Sequence, residues 1–222
     1  MEIVRMQDKA LIVFARSPIA GRVKSRLTKL LTPEEAAGLY KAFLIDSLKQ
    51  YSMLEVTVRL YMADDLPLTI PRFGSTVHQQ FGHELGPRMQ HAFMETAQEG
   101  FQRMVIIGTD HPTLPSSYID RAFEALTQVH SVSIGPAEDG GYYLLGMNPF
   151  IDGLFDGITF GKSDVYAKTL VKAYETGSNV TELPWWYDID RPSDLKRLSA
   201  DEKDLPEHTL KIMRRLKVKY GI

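Results

Sequence analysis

The sequence predicts a three-layer α/β/α sandwich on a mostly parallel, mixed sheet. Three observations lead there. Strand-like and helix-like segments alternate along most of the 222 residues. Ala10–Phe14 and Met104–Ile107 are short, continuous apolar runs bounded by turn residues, the pattern of strands buried on both faces. Asp139-Gly140-Gly141 between two apolar runs reads as a hairpin turn, so at least one strand runs antiparallel.

Each element has its own signal. Ala10–Phe14 ends in a loop with Pro18 and Gly21. Thr32-Pro-Glu-Glu35 starts a helix, with a Thr cap, Pro in the first turn and Glu closing a capping box. That helix runs to about Tyr51, with Ala36, Leu39, Tyr40, Phe43 and Leu44 on one face. Glu55–Met62 alternates as a strand, Asp64–Phe73 with two prolines is a loop, and Val77–Phe81 is a short strand. A helix follows from about Gly86 to Gln98, with Leu85, Met89, Ala92, Phe93 and Thr96 at helical spacing. Met104–Ile107 exits into Gly108-Thr-Asp-His-Pro112, and a helix opens at Ser116 and runs to about Gln128. Val132–Gly135 and Tyr142–Gly146 are the hairpin strands. Ser163 starts a helix that Gly177 ends, and Asn179–Leu183 is an edge strand. Pro192 and Pro206 start the last two helices.

The bulk numbers set bounds. A chain of 222 residues is expected to form a single domain that buries about 70% of its unfolded surface. A net charge of −2 excludes a general polyanion binder, so no nucleic-acid partner is expected and any basic site must be local. The absence of cysteine removes disulfides, thiol catalysis and thiolate metal sites, and suits a reducing cytoplasm. The first nine residues are mixed in charge with no signal-peptide pattern, and no apolar run has the ~20 residues of a membrane span. The expectation is a cytoplasmic monomer or homodimer.

Five segments can carry chemistry. The first is the exit of Ala10–Phe14, where Arg16, Arg22, Lys24 and Arg26 surround Pro18 and Gly21. A buried strand feeding a basic glycine loop and then a helix is a phosphate-holding arrangement; the plainer alternative is a solvated basic loop. It is neither a Walker loop, since Val23 precedes Lys24, nor a G-x-G-x-x-G loop. The second is Asp110, delivered by a buried strand to the edge where α/β sheets collect ligands; it reads as a Mg²⁺ ligand or as a turn former before Pro112. With no second histidine at metal spacing, the neighbouring His111 reads as a loop or supporting residue. The third is Asp188-Ile-Asp190 ahead of Pro192. The two acids point to one side and need a cation or hydrogen bonds, and one of them is free to cap the helix. The fourth is Gly135-Pro-Ala-Glu-Asp-Gly-Gly141, a bland turn or a substrate floor in which Asp139 or Glu138 meets hydroxyls or acts as base. Arg88, at the opening of its helix, reads as a base or phosphate contact or as a surface partner of Glu84.

Taken in order, five motifs resemble the bacterial nucleotide-diphospho-sugar transferase family of the GT-A-like superfamily. They are Phe14-Ala-Arg-x-Pro…Gly21-Arg-Val-Lys-Ser-Arg-Leu27, Gln80…Leu85-Gly-x-Arg-Met89, Ile107-Gly-Thr-Asp-x-Pro112, Gly135-Pro-Ala-Glu-Asp-Gly-Gly-Tyr-Tyr143 and Asp188-Ile-Asp-x-Pro-x-Asp-Leu195. The superfamily includes phospholactate and molybdenum-cofactor guanylyltransferases. The resemblance implies a GT-A-like fold in which Ala15, Arg16, Gly21, Lys24, Arg26 and Arg88 meet the nucleotide and its phosphates. It further implies Asp110 and Asp190 as ligands of Mg²⁺ (or Mn²⁺), and Gly140 and Gly141 under the sugar or acceptor. Two positions depart from the pattern: His111 stands where a small residue such as Ser is expected, and Phe160-Gly161 where a Trp-Ser pair is usual.

The expected function is a metal-dependent glycosyl transfer from a nucleotide sugar to a small-molecule acceptor, with Asp139 as base. The alternatives are a nucleotidyltransferase that releases pyrophosphate and a non-catalytic nucleotide sensor.

Overall fold

Two faces of one sheet organise the chain. The computed structural model describes residues 8–222; the reading of residues 1–7 as a start without a signal pattern lies outside them. Seven strands are seen: β1 (Lys9–Ala15), β2 (Thr57–Met62), β3 (Thr76–Gln79), β4 (Arg103–Ile107), β5 (Ser131–Pro136), β6 (Tyr142–Asn148) and β7 (Asn179–Glu182). They form one sheet in the order β3-β2-β1-β4-β6-β5-β7. Among these strands only β6 runs against the rest, paired antiparallel with β4 and β5. The hairpin at Gly140–Gly141 is the source of that reversal, as the sequence predicts.

The chain leaves β1 for β2 and β3 on one side, then returns to place β4 on the other side of β1. The strand order therefore reverses between β1 and β4. A crevice opens at such a switch point, at the carboxyl ends of the strands, and ligands gather there in open α/β sheets.

Six α-helices complete the described residues: α1 (Pro33–Tyr51), α2 (Leu85–Gln98), α3 (Ser116–Ala125), α4 (Val165–Glu175), α5 (Pro192–Ala200) and α6 (Glu207–Tyr220). On one face of the sheet, Leu11 and Val13 of β1 pack with Leu44 and Leu48 of α1 and with Ile119 and Phe123 of α3. On the other face, Ala10 and Ile12 pack with Met89 and Phe93 of α2 and Ala173 of α4. The alternation of side chains along a strand divides β1 between the two cores. The three expected layers are present.

Helix α1 differs from its predicted one-faced pattern. Its outer side, Leu39 and Phe43, is covered by Leu195 and Leu198 of α5 and Met213 and Leu216 of α6. A helix that is apolar around most of its circumference has to be buried on more than one side. The Thr32 cap forms as expected: its hydroxyl accepts from Glu35 N at 3.2 Å, and the Glu35 carboxylate accepts from Thr32 N at 2.9 Å.

A buried acid adds to the apolar α1–α6 contact. The Asp46 side chain is 2% exposed. It accepts Thr209 N at 2.7 Å, Thr209 Oγ1 at 2.8 Å and His208 N at 3.2 Å, so a residue in the middle of α1 satisfies the free amides that open α6. Replacing Asp46 with Ala leaves these buried donors unpaired and is expected to lower stability by about 3 kcal/mol, read from urea unfolding. The Asp46→Asn variant should retain part of that loss.

Candidate active site

The site is built from loops that leave β1, β4 and β5 and from the segment before α5. The loop after β1 turns at Gly21, whose φ is +78°, and passes through Lys24 in the left-handed region at φ +50°. Val23 is buried against Ala37 and Tyr40 of α1, and Leu27 sits in the apolar cluster under α5 and α6. These two anchors draw the loop down and turn the Lys24 side chain inward. The helix expected straight after the loop is a five-residue 3₁₀ helix, Ser25–Lys29. The positive potential here therefore comes from side chains rather than from an α-helix dipole.

The Lys24 side chain is 3% exposed, and its ammonium lies 2.8 Å from Asp110 and 3.0 Å from Asp190. Arg26 reaches the other oxygen of Asp190 at 3.1 Å and stays largely exposed. Burial works against a charged Lys24, but the field of Asp110 and Asp190 outweighs it and raises the ammonium above the usual lysine range. The backbone supports the contact: Ile189 N donates to Asp110 O at 2.9 Å, which ties the segment before α5 to the β4 exit. Neither Asp188 nor Asp190 caps α5. Asp194 does so, accepting Asp190 N at 2.9 Å and Arg191 N at 2.7 Å.

Asp188 and Asp190 share one side, as their spacing predicts, but serve different partners. The buried His111 places Nδ1 at 3.5 Å from Asp188 Oδ1. Burial would raise the Asp188 carboxyl, and contact with His111 outweighs it and holds it below the usual range. His111 also packs edge-on against Tyr143, with ring centroids 5.8 Å apart.

A cavity of about 810 Å³ opens over this group. That is within the upper part of the roughly 300–1,000 Å³ range of small-molecule sites. One wall is basic: Arg16, Arg22, Lys24 and Arg26, beside Ala15. The lining also includes Asp139, Gly141, Tyr142, Phe160 and Lys162. Arg88 also lines the cavity, donating from Nε to Gly82 O at 2.8 Å and from Nη1 to Gln80 Oε1 at 3.4 Å. The Gln80 side chain in turn donates to Ala15 O and Tyr61 O.

Two expected site residues do not line the cavity. Gly21 serves the turn, and a Cβ there would meet open space. Gly140 lies against the backbone of Ser163, and its carbonyl accepts from Tyr166 N at 3.0 Å. Its neighbour Gly141 does face the cavity, with its N–H donating to Asp139 Oδ1 at 2.9 Å.

Sequence reasoning missed Tyr40. Its hydroxyl accepts Arg16 N at 3.0 Å and Thr109 Oγ1 at 3.3 Å, linking the exits of β1 and β4. Burial, joined by the charge of Asp110, pushes this phenol up, so it stays neutral. Its spacing in α1 marks it only as a core residue. Phe160, which departs from the family pattern, packs its ring beside Gly86, where a Cβ would approach it to 2.3 Å.

Metal fit follows from these donors. Asp110 and Asp190 offer oxygen donors of the hard kind that Mg²⁺ prefers. Among the described residues no group of three or more His, Asp or Glu side chains has the arrangement of a metal centre, so an ion here would need oxygens from a bound phosphate to complete its shell.

Comparisons with known proteins agree with this frame. The model of a family described as "Uncharacterized protein conserved in bacteria (DUF2064)" matches residues 49–162. A crystal structure from Desulfovibrio desulfuricans G20, described as a "putative nucleotide-diphospho-sugar transferase", matches with a TM-score of 0.88 at 30% identity, covering 97% of this chain and 99% of that one. Rv0371c from Mycobacterium tuberculosis H37Rv matches with a TM-score of 0.55 at 16% identity, covering 86% and 97% of the two chains. A cytidylyltransferase from Leptospira borgpetersenii matches with a TM-score of 0.57 at 12% identity, covering 97% and 95%. No curated protein sequence matches. The fold is thus the GT-A-like α/β sandwich that the motifs imply, and no helix among the described residues is long and apolar enough to cross a membrane.

Gly140 gives a direct test of the hairpin wall. An added Cβ would come within 2.0 Å of Ser163 O, at a φ of +91° that side chains rarely adopt. Gly140→Ala is expected to destabilise the protein by about 3 kcal/mol or more, measured by denaturant unfolding.

Proposed function

This chain belongs to the bacterial DUF2064 family, and from that premise we propose that it is a transferase that moves a sugar from a nucleoside diphosphate to a small-molecule acceptor. The observation that carries this reading is the make-up of the cavity lining, which brings a cluster of cations together with carboxylates and aromatic rings. Arg16, Arg22, Lys24 and Arg26 suit a diphosphate, and Asp139, Tyr142 and Phe160 suit a sugar ring, with a carboxylate for hydroxyls and aromatic faces for C–H surfaces. The relative from Desulfovibrio desulfuricans, whose description names the same reaction class, supports it.

In this reading an acceptor oxygen attacks the anomeric carbon as the bond from that carbon to the β-phosphate oxygen breaks. The bond electrons stay on the nucleoside diphosphate. Arg16, Arg22, Lys24 and Arg26 neutralise that growing charge, and each charge-assisted hydrogen bond contributes about 1.5–3 kcal/mol. Asp139 takes the acceptor's proton. Asp110 and Asp190 would hold a divalent ion, which supplies further charge neutralisation at the diphosphate. Tyr40 keeps the Arg16 amide and the β4 exit at a fixed spacing.

The density of cations also favours a second reading, nucleotidyl transfer with pyrophosphate as leaving group. Products separate the two. Incubation with a panel of sugar nucleotides and Mg²⁺ is expected to release nucleoside diphosphate; pyrophosphate released from a nucleoside triphosphate with a phosphorylated acceptor would select the second reading. Binding without turnover, unchanged in Asp110→Asn, would mark a sensor. Asp110→Asn is expected to abolish Mg²⁺-dependent turnover with an unchanged circular dichroism spectrum. Lys24→Ala should weaken nucleotide binding about tenfold or more in calorimetry.

A further inference from the structure

Lys24 is asked to do two things that one ammonium cannot do together. It belongs to the basic wall that faces a diphosphate, yet its charge lies 2.8 Å from Asp110 and 3.0 Å from Asp190, between the two carboxylates suited to a divalent ion. We propose that Lys24 is a displaceable internal counterion. In the free protein it fills the carboxylate pair and keeps divalent cations out. A bound diphosphate draws its ammonium to phosphate oxygens, and the ion then enters with the nucleotide. The inference rests on the metal reading of Asp110 and Asp190 given above.

Charge balance carries the argument. Asp110 and Asp190 contact two cations, Lys24 and Arg26, which offset the charge of the pair, while the third carboxylate nearby, Asp188, is engaged by His111. A divalent ion added beside a fixed Lys24 would leave an excess of positive charge in a half-closed space, where effective dielectric screening is weak. The anionic diphosphate removes that excess by taking Lys24 over. Ligation points the same way. Among the described residues no third His, Asp or Glu completes a metal centre, so the protein alone offers a divalent ion little to set against the ammonium. Phosphate oxygens fill the shell when the nucleotide is present. Lysine suits the exchange, since its compact charge sits on a flexible four-carbon stem.

Mn²⁺ binding to the full-length chain tests this without any turnover, using the loss of the free-ion EPR signal. Wild type without nucleotide is expected to leave Mn²⁺ free, whereas Lys24→Met should bind it at least roughly tenfold more tightly, a coupling of ordinary size for linked sites. The double variant Lys24→Met/Asp110→Asn should lose that gain. Mn²⁺ should also raise the melting temperature of Lys24→Met and leave that of wild type unchanged. If Lys24→Met does not fold, Lys24→Gln serves, as it keeps a hydrogen-bond donor beside the carboxylates. Equal Mn²⁺ affinity for wild type and variant without nucleotide overturns the counterion proposal and leaves the metal assignment standing. No Mn²⁺ binding by either protein, with or without GDP or UDP, overturns both.

Discussion

A buried ammonium held between two carboxylates is the constraint on which the site depends. Lys24, Asp110 and Asp190 come from three distant stretches of chain, and each is costly alone in this place. Lys24 is nearly fully buried and requires counter-charge. The two acids face one another's field and require a cation. Together they fix the β1 exit, the β4 exit and the entrance to α5 against one another. Buried ion pairs are weak evidence for net stability, because desolvation offsets much of their attraction. Here the result is placement, reinforced by the bond from Ile189 to Asp110 and by Asp194 under the Asp190 backbone.

The sheet supplies the location. Because β2 and β3 lie on one side of β1 and β4 on the other, the loops leaving β1 and β4 separate over the same edge. Tyr40 bridges them from below, and the antiparallel β6 begins at that edge instead of ending there. The turn from β5 to β6 therefore joins the site without a crossover helix, and Gly140 fits that turn against the Ser163 backbone.

Much of this was legible in the sequence wherever a local pattern encodes a local structure. The apolar runs of β1 and β4, the Thr32–Glu35 capping box and the Asp139–Gly141 turn each carry their own signal over a few residues. Lys24, Asp110 and Asp190 were legible as candidates because each follows a buried strand or precedes a helix start. Their mutual contact was not, since it depends on how three separate segments meet. The same reason hides the second buried face of α1: Leu39 and Phe43 read as part of one stripe until α5 and α6 supply a second neighbour. Tyr40 carries a core residue's spacing, and only the positions of Arg16 and Thr109 give its hydroxyl a task. Gly140 and Gly141 look alike in sequence, yet one packs on backbone and the other faces the cavity.

The two walls of the cavity rest on different foundations. The basic loop is seated, through Leu27, in the cluster that α1 forms with α5 and α6. Tyr142 and Phe160 belong instead to the core on the opposite face of the sheet, with α2 and α4. The two walls are linked where Arg197 of α5 pairs with Glu138 at 2.9 Å. The crevice thus joins two cores: what holds the basic loop in place lies under α5 and α6, and what holds Tyr142 and Phe160 lies under α2 and α4.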